Sequence, residues 1–163
     1  MRIGPVTLAL ILALAHGPMA GAQDTNVAFA GLKTDTTQPV QVDADQLSVN
    51  QEDGNATFSG NVVITQGTMK LQAALVTILY SADRKAIESL RAEGGVTLAA
   101  GTDAATAETA EYLPDTGDLT LTGNVVLTQG AAAISGEKLV LSLKSGLGTM
   151  TGRVTTIFTP GDN

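Results

Sequence analysis

Apolar and polar residues alternate along short stretches of this chain, with little of the three-to-four-residue spacing typical of amphipathic helices. The clearest case begins at Val40, where Val40, Val42 and Ala44 alternate with polar neighbours. Such alternation between glycine- and asparagine-rich turns predicts β-strands, with regular structure beginning near Thr36. The predicted strands are residues 40–49, 56–59, 62–66, 69–80, 87–92, 96–99, 106–112, 119–122, 125–129, 134–143, 147–151 and 154–159.

One segment has a helix-forming composition, residues 104–111 (AATAETAE). Its position in the repeat described below is equivalent to a predicted strand, and agreement between local and global patterns favours strand. The chain is therefore predicted to be all-β.

Several predicted strands are apolar on both faces, as in Val62-Val63-Ile64 and Val125-Val126-Leu127. A sheet with one wet face would alternate cleanly, so these strands indicate two layers or a rolled sheet with an apolar interior. Aromatic residues make up only 3% of the chain. The interior is therefore either open to an elongated apolar ligand or packed by small aliphatic side chains as a thin sandwich.

A fourteen-residue segment occurs twice. Residues 54–67 (GNATFSGNVVITQG) return 63 positions later as residues 117–130 (GDLTLTGNVVLTQG), with nine of fourteen positions identical. Gly152 continues the pattern as a weaker third copy. A fixed period indicates a repetitive scaffold. We interpret each Gly-Asn pair as a tight turn that joins two strands.

The N-terminus predicts a cleaved secretory signal. Arg2 precedes an apolar run over residues 6–15, and Ala20-Gly21-Ala22 fits a cleavage site. The run is shorter than the roughly 20 residues of a spanning helix, and an uncleaved anchor is the alternative. Cleavage after Ala22 would leave residues 23–35 as a mobile leader, residues 36–159 as one β-domain and residues 160–163 as a short tail.

Composition argues against catalysis. Cleavage would also remove His16, the single histidine, and the chain has no Cys and no Trp. Imidazole and thiolate are the usual metal ligands and nucleophiles, so we expect no catalytic site, metal site or cofactor. The net charge is −7, and the basic residues are scattered. A nucleic-acid binder would concentrate them, so no nucleic-acid partner is expected.

Several motifs together resemble the OstA-like (LptA) family of periplasmic lipopolysaccharide-transport proteins over nearly the whole exported chain. They are Gln38-Pro39-Val40 with Val42, Ala44-Asp45-Gln46-Leu47, residues 58–67 (FSGNVVITQG), Tyr112, residues 121–125 (LTGNV) and Arg153-Val154-Thr155-Thr156. The resemblance implies a single antiparallel β-jelly roll, V-shaped or slightly twisted in section, with an apolar groove along its axis.

The resemblance also implies which residues line the groove. By position, the family's groove residues fall on Thr36, Val40, Val42, Leu98 and Tyr112. Alternation adds Phe58, Val62, Ile64, Leu121, Val125, Leu127, Ile134, Leu141 and Phe158. Ordinary core packing is the alternative role for each of them. Leu98 stands where the family tends to carry an aromatic residue, so the groove is expected to be wider there.

The implied function is a periplasmic bridge that carries lipopolysaccharide from the inner to the outer membrane. The acyl chains of lipid A travel in the groove, no bond is made or broken, and the protein is not an enzyme. Its implied partners are further copies of itself, stacked end to end, an inner-membrane LptC-like jelly roll and an outer-membrane LptD-like jelly roll. Two alternatives remain: a membrane-tethered LptC-like component, and a small exported β-scaffold that binds sugars.

Overall fold

Eleven β-strands make up nearly all of the computed structural model, which describes the backbone of residues 25–28 together with residues 32, 35 and 37–159. The strands are β1 (Thr25–Ala28), β2 (Gln41–Asp43), β3 (Gln46–Val49), β4 (Ala56–Gln66), β5 (Met69–Tyr80), β6 (Ile87–Ala100), β7 (Asp103–Leu113), β8 (Asp118–Gln129), β9 (Ala132–Ser142), β10 (Leu147–Thr151) and β11 (Thr155–Phe158). Within these described residues, no helix has the length and apolar character needed to cross a membrane.

All the strands belong to one antiparallel sheet in which β4 to β10 are successive neighbours. At one end, β2 and β3 lie one after the other along β4. At the other end, β10 and β11 share β9 in the same way, and β1 pairs with the outer side of β10. The sheet is not closed into a barrel, and the predicted all-β class is confirmed.

A line of β-bulges crosses the whole sheet. The residues Ser59, Leu75, Glu93, Thr109 and Thr122 are successive cross-strand partners, and the register shifts immediately beyond each of them. A bulge bends its strand and increases the local twist. Because five bulges lie in one row, every long strand bends at the same level. We call this row the crease.

The Gly-Asn pairs of the repeat lie on the crease, so their interpretation as turns between separate strands was wrong. Gly60-Asn61 has φ of 77° and 47°, and Gly123-Asn124 has φ of 87° and 45°. The same left-handed geometry serves a tight turn or a bulge. Here the chain continues in the same direction, because the long partner strands hold both halves in one ladder.

Other expectations had mixed outcomes. Strand β5 coincides with the predicted residues 69–80, and the helix-like segment 104–111 lies within strand β7, as predicted. The predicted strand 40–49 is divided into β2 and β3, whereas residues 87–92 and 96–99 belong to the single strand β6. Residues 25–28 form β1, so regular structure begins earlier than expected. The predicted signal (residues 1–22) and tail (residues 160–163) lie outside the described residues.

The core lies on one face of the sheet. Along β5, buried and exposed residues alternate from Met69 onward, and the buried ones face the same side as the buried residues of β4 and β6. The buried set is dominated by Leu, Val, Ile and Ala. The opposite face is largely exposed, although Val126 and Val140 lie on it. One rolled sheet therefore explains the strands that are apolar on both faces.

Candidate functional site

The crease divides the long strands into two arms whose inner faces meet. The first arm comprises residues 62–66, 69–73, 96–100, 103–107, 125–129 and 132–136. The second arm comprises residues 56–59, 75–80, 87–93, 109–113, 118–122 and 138–142. We call the space between them the groove.

Contacts across the groove show that the arms face each other. One cavity is lined by Leu71 of the first arm and by Leu90 of the second arm. Leu90 pairs with Ile78 on β5, and residues 71 and 78 would lie about 23 Å apart on a straight strand. Both side chains can line one small cavity only because β5 bends at the crease. The groove is thus the folded-over inner face of a single sheet.

Nine of the predicted groove residues are buried on this inner face. They are Val62, Ile64, Leu98, Tyr112, Leu121, Val125, Leu127, Ile134 and Leu141. Phe58 and Val42 are partly buried and pack against the same cluster. Val40 lines the cavity while remaining half-exposed. Thr36 lies outside the described residues. The structure therefore brings most of the predicted set together, as a continuous apolar surface that runs across the strands.

The groove is nearly filled by its own side chains. The cavity between the arms has a volume of about 30 Å³, whereas pockets that hold ligands usually measure roughly 300–1,000 Å³. Leu98, where a wider section was expected, is fully buried and does not line this cavity. We call this arrangement, with the arms packed against each other, the closed form. The sequence allowed either an interior open to a ligand or one packed by small aliphatic side chains, and the closed form corresponds to the second.

Both ends of the groove expose apolar side chains that point inward. Leu47 and Val49 of β3 pair with Phe58 and Ala56 of β4, and they are 54% and 57% exposed because no strand lies beyond them. At the opposite end, Phe158 of β11 is 75% exposed. Phe158 pairs with Ala132, which in turn pairs with Gln129 of β8. Gln129 is two positions after the fully buried Leu127 and so lies on the same face of β8, which places Phe158 on the inner face. The apolar surface therefore runs to the sheet edge at both ends.

Polar residues lie at the lip of the first arm. Gln129 Nε2 donates a hydrogen bond of 3.1 Å to Asp103 Oδ2, and Gln66 Nε2 donates one of 3.0 Å to the carbonyl of Gln38. Gln66 and Gln129 are the equivalent glutamines of the two repeat copies. Each copy of the repeat thus supplies the groove with buried aliphatic side chains, followed by an amide side chain at the lip.

Tyr112 is the one aromatic residue that lines the cavity. It lies near the end of β7, on the second arm, and its cross-strand partners are Leu90 and Leu119. Burial raises the pKa of the Tyr112 phenol above its ordinary value of 10.0. The phenol therefore stays neutral to a higher pH than a free tyrosine, which suits an apolar wall.

Sequence reasoning missed several inner-face residues. Leu71, Val76 and Leu90 line the cavity, and Leu32, which lies between β1 and β2 in the chain, is fully buried in the same cluster. Strict alternation along the correctly predicted strand 69–80 would have found Leu71. No local pattern marks Leu32, because it lies outside the predicted strands.

Comparison with known proteins identifies the family. The family model described as LptA/(LptD N-terminal domain) LPS transport protein matches residues 41–147. The lipopolysaccharide export system protein LptA of Haemophilus influenzae is 33% identical over 144 residues, which is 82% of this chain and 83% of that protein.

Two further relatives match over shorter shares of their own length. An uncharacterized protein of Rhizobium meliloti is 32% identical over 128 residues, 74% of this chain and 62% of that protein. LptA of Escherichia coli K12 is 37% identical over 78 residues, 48% of this chain and 40% of that protein. The aligned part thus spans less than two thirds of each of these two relatives.

A solved structure shares the fold. The crystal structure of LptH from Pseudomonas aeruginosa, the LptA-homologous periplasmic component of a lipopolysaccharide transport device, superposes with a TM-score of 0.69 at 22% identity. The match covers 78% of this chain and 99% of that one, and it confirms the expected OstA-like fold. The family model covers well over half of the sequence, and the H. influenzae protein is matched along most of its length. The chain therefore belongs to the LptA/(LptD N-terminal domain) family of LPS transport proteins.

Proposed function

We propose that this protein is a periplasmic bridge that carries lipopolysaccharide from the inner to the outer membrane, with the acyl chains shielded in the groove. One observation carries the proposal: the apolar inner face is continuous across the sheet and ends in exposed, inward-pointing side chains at both edges. An enclosed pocket would serve a ligand that stays. A surface that is open at both ends suits a ligand that passes along it.

The energetics favour acyl chains as the ligand. Burial of each CH₂ group contributes about 0.8 kcal/mol, so even one chain would be held firmly by an aliphatic wall. The cavity of about 30 Å³ is too small for such a chain. Loading therefore requires the arms to separate. A crease of bulges is the natural hinge, because the ladder hydrogen bonds are already interrupted there.

The sheet edges support end-to-end assembly. Edge strands present unpaired backbone groups that can pair with another chain. Strands β2 and β3 form one edge and β11 lies at the other, so one copy can extend the sheet of the next while joining the two grooves. The same edges would dock an LptC-like jelly roll at the inner membrane and an LptD-like jelly roll at the outer membrane.

The remaining parts of the proposal concern export and chemistry. Cleavage after Ala22 would release the protein into the periplasm with Gln23 at its N-terminus. The protein would act without a catalytic step, as a lipid-binding component of the machine. Intact mass of the protein from a periplasmic extract tests the export step, since a retained N-terminus would favour a tethered LptC-like component instead.

Site-specific photocrosslinking in cells tests the groove. A photoreactive amino acid at Val42 or Tyr112 points inward and should crosslink lipopolysaccharide. The matched controls are Thr97 and Thr106, which are exposed on the outer face of the neighbouring strands β6 and β7. Equal labelling from inner and outer positions, or no labelling from either inner position in the folded protein, would overturn the proposal.

A further inference from the structure

Strands β1 and β3 run in the same direction, although they lie at opposite ends of the sheet. Strand β1 is antiparallel to β10, and β3 is antiparallel to β4. Because the strands from β4 to β10 alternate in direction, β4 and β10 run the same way, and so do the edge strands that pair with them. Both edge strands have four residues.

Strand β3 starts at the crease. Gln46, its first residue, pairs with the crease residue Ser59, and Val49, its last residue, pairs with Ala56. We call each row of cross-strand partners parallel to the crease a level. Strand β3 thus occupies the crease level and the next three levels of the second arm.

Strand β1 lies at nearly the same levels of the second arm. The crease residue Thr122 pairs with Lys138, which pairs with Thr151 of β10, so Thr151 marks the crease level on that strand. Thr25, the first described residue of β1, pairs with Met150, one level further out. Strands β1 and β3 therefore share three of their four levels.

The edge strands of the first arm also match in level. Val42 of β2 pairs with Ile64, and Thr156 of β11 pairs with Ile134. Ile64 and Ile134 belong to one row of partners, which continues through Leu71, Leu98, Ala105 and Leu127. If two copies joined with their creases aligned, β2 of one copy would therefore lie antiparallel beside β11 of the other. Among the described strands, none pairs with the outer side of β11.

The same alignment would bring β3 of the second copy to the position that β1 holds on β10. Leu47 would take the register position of Thr25, opposite Met150, and Val49 would take that of Val27, opposite Gly148. Leu47 and Val49 are 54% and 57% exposed at the free edge. Exchange of β1 for β3 would cover these two apolar side chains, which favours the exchange.

We propose that β1 covers the β10 edge of a free copy and is displaced by β3 of a second copy when the two join end to end. The proposal rests on the end-to-end assembly in the proposed function. A free copy offers only β11 for pairing, and the complete seam forms only with β1 released. The released fraction then limits the apparent affinity between copies. A four-residue edge strand can open without global unfolding, so the exchange leaves the sheet intact.

A reversible disulfide tests the displacement. Asn26 and Thr149 are cross-strand partners in β1 and β10, and the chain has no cysteine. Oxidation of the Asn26→Cys/Thr149→Cys protein would fix β1 on β10. We expect it to raise the dissociation constant for self-association at least ten-fold over the reduced form, measured by sedimentation equilibrium. The control is Thr97→Cys with Thr106→Cys, which joins the central strands β6 and β7 on their outer face and should change nothing. Equal association of the oxidised and reduced test protein would overturn the inference.

A second variant releases β1 instead of fixing it. Adjacent N–H groups of a strand point to opposite sides, so prolines at both Asn26 and Val27 remove a donor that faces β10. The Asn26→Pro/Val27→Pro protein should self-associate several-fold more tightly than the native protein. Asn26→Ala with Val27→Ala keeps both N–H groups and is the matched control. Equal association of the proline and alanine variants would overturn the inference.

A crosslink between copies tests the position of β3. Ser48 and Thr149 lie two levels beyond the crease on β3 and β10. A mixture of Ser48→Cys and Thr149→Cys proteins should form a disulfide-linked pair, and its yield should rise several-fold when the Thr149→Cys copy also carries the two prolines. Thr97→Cys, on a central strand, should not link to Thr149→Cys. Absence of the Ser48–Thr149 link even with the prolines would overturn the inference.

Photocrosslinking from Val42 and Tyr112 separates this inference from the lipid function. If release of β1 strengthens assembly while neither position labels lipopolysaccharide, the strand exchange stands and the lipid function fails. If both positions label lipopolysaccharide while the disulfide and the prolines leave assembly unchanged, the lipid function stands and the strand exchange fails.

Discussion

Asp45 lies directly over Gly60, at the point where strand β4 bends. A Cβ atom on Gly60 would lie 2.5 Å from Asp45 Oδ2, and the same oxygen accepts a hydrogen bond of 2.8 Å from Asn61 Nδ2. The same arrangement occurs twice more, with Glu108 over Gly123 and Glu137 over Gly152. In all three cases the acidic residue precedes the glycine by fifteen positions. Each site therefore requires glycine for two reasons: the backbone is left-handed there, and the acidic side chain fills the space that a Cβ atom would occupy.

Replacing Gly123 with alanine should therefore destabilise the protein by about 1–3 kcal/mol, because strain and steric overlap add. Gly101→Ala is the control: its φ is also positive, at 59°, but a Cβ there meets nothing within 4 Å. We expect a cost near 1 kcal/mol for the control, from the backbone alone. Urea denaturation of the two variants makes the comparison.

The steric part of that cost can be isolated. In a Glu108→Ala background the overlap with the carboxylate is gone and only the Cβ atom of residue 108, at 2.8 Å, remains close, so Gly123→Ala should cost less than in the native background and more than Gly101→Ala. If the cost is unchanged in that background, Glu108 does not contribute and the steric account is incorrect.

Leu121 tests how tightly the groove is packed in the closed form. It is fully buried next to the crease in β8, and Leu121→Ala should lower the free energy of unfolding by about 2–5 kcal/mol. Val126→Ala on the outer face of the same strand should change it by less than about 0.5 kcal/mol. Similar losses for the two variants would show that the arms are not packed against each other in solution.

Phe158 tests the end of the groove in self-association. Phe158→Asp should reduce the concentration-dependent growth of particles in solution scattering, because it places a charge where two grooves would join. Ile157→Asp is the matched control, since Ile157 is a neighbour on β11 that is also exposed but faces the other side. Equal effects of the two would indicate docking through the strand edge without continuity of the groove.

Arg84 tests a contact between hairpin tips on the second arm. Its Nη2 donates to the carbonyls of Gln51 at 3.2 Å and Glu52 at 2.9 Å, and its side chain covers Gly54. Arg84→Ala should speed hydrogen exchange in the turn over residues 50–55 with little change in global stability, since local opening needs few contacts to break. Lys85→Ala, which removes an exposed neighbour, should leave that exchange unchanged.

The pH dependence of stability should report the burial of Tyr112. Because burial raises the pKa of its phenol, the unfolded chain ionises first as the pH rises. This contribution is complete below about pH 10 and is lost as the pH rises through the folded-state pKa. Tyr112→Phe should therefore show a smaller loss of stability between pH 9 and pH 12 in chemical denaturation. Parallel curves for the two proteins would contradict a buried phenol.

Alternation was sufficient to predict the strand class, the position of β5 and part of the inner face, because these depend on side-chain period alone. Gly60-Asn61 shows where it fails. Whether a left-handed pair turns the chain or bends it depends on the partner strand, which is distant in sequence. The predicted lengths held a clue: β5 was predicted with twelve residues, whereas its neighbour was predicted as two short strands, residues 56–59 and 62–66. Because a long strand needs a long partner, these two short strands should have been read as one.

The return of β1 to β10 could not be read from local sequence. The pairing joins Thr25 with Met150, so it depends on where the completed sheet brings its last strands. Leu32 is similar, since a single leucine outside any periodic stretch has no signal for burial. Both features depend on contacts that exist only once the sheet is complete.

The crease also determines which dimension of this architecture can vary. The number of residues on each side of the crease fixes the profile of the interior, and one extra residue in a single strand would misalign it against both neighbours. Adding strands changes only length. The two copies of the repeat lie on β4 and β8, which are four strands apart, so the repeated unit corresponds to about 19 Å of sheet. Duplication of that unit would yield a longer conduit with an unchanged bore.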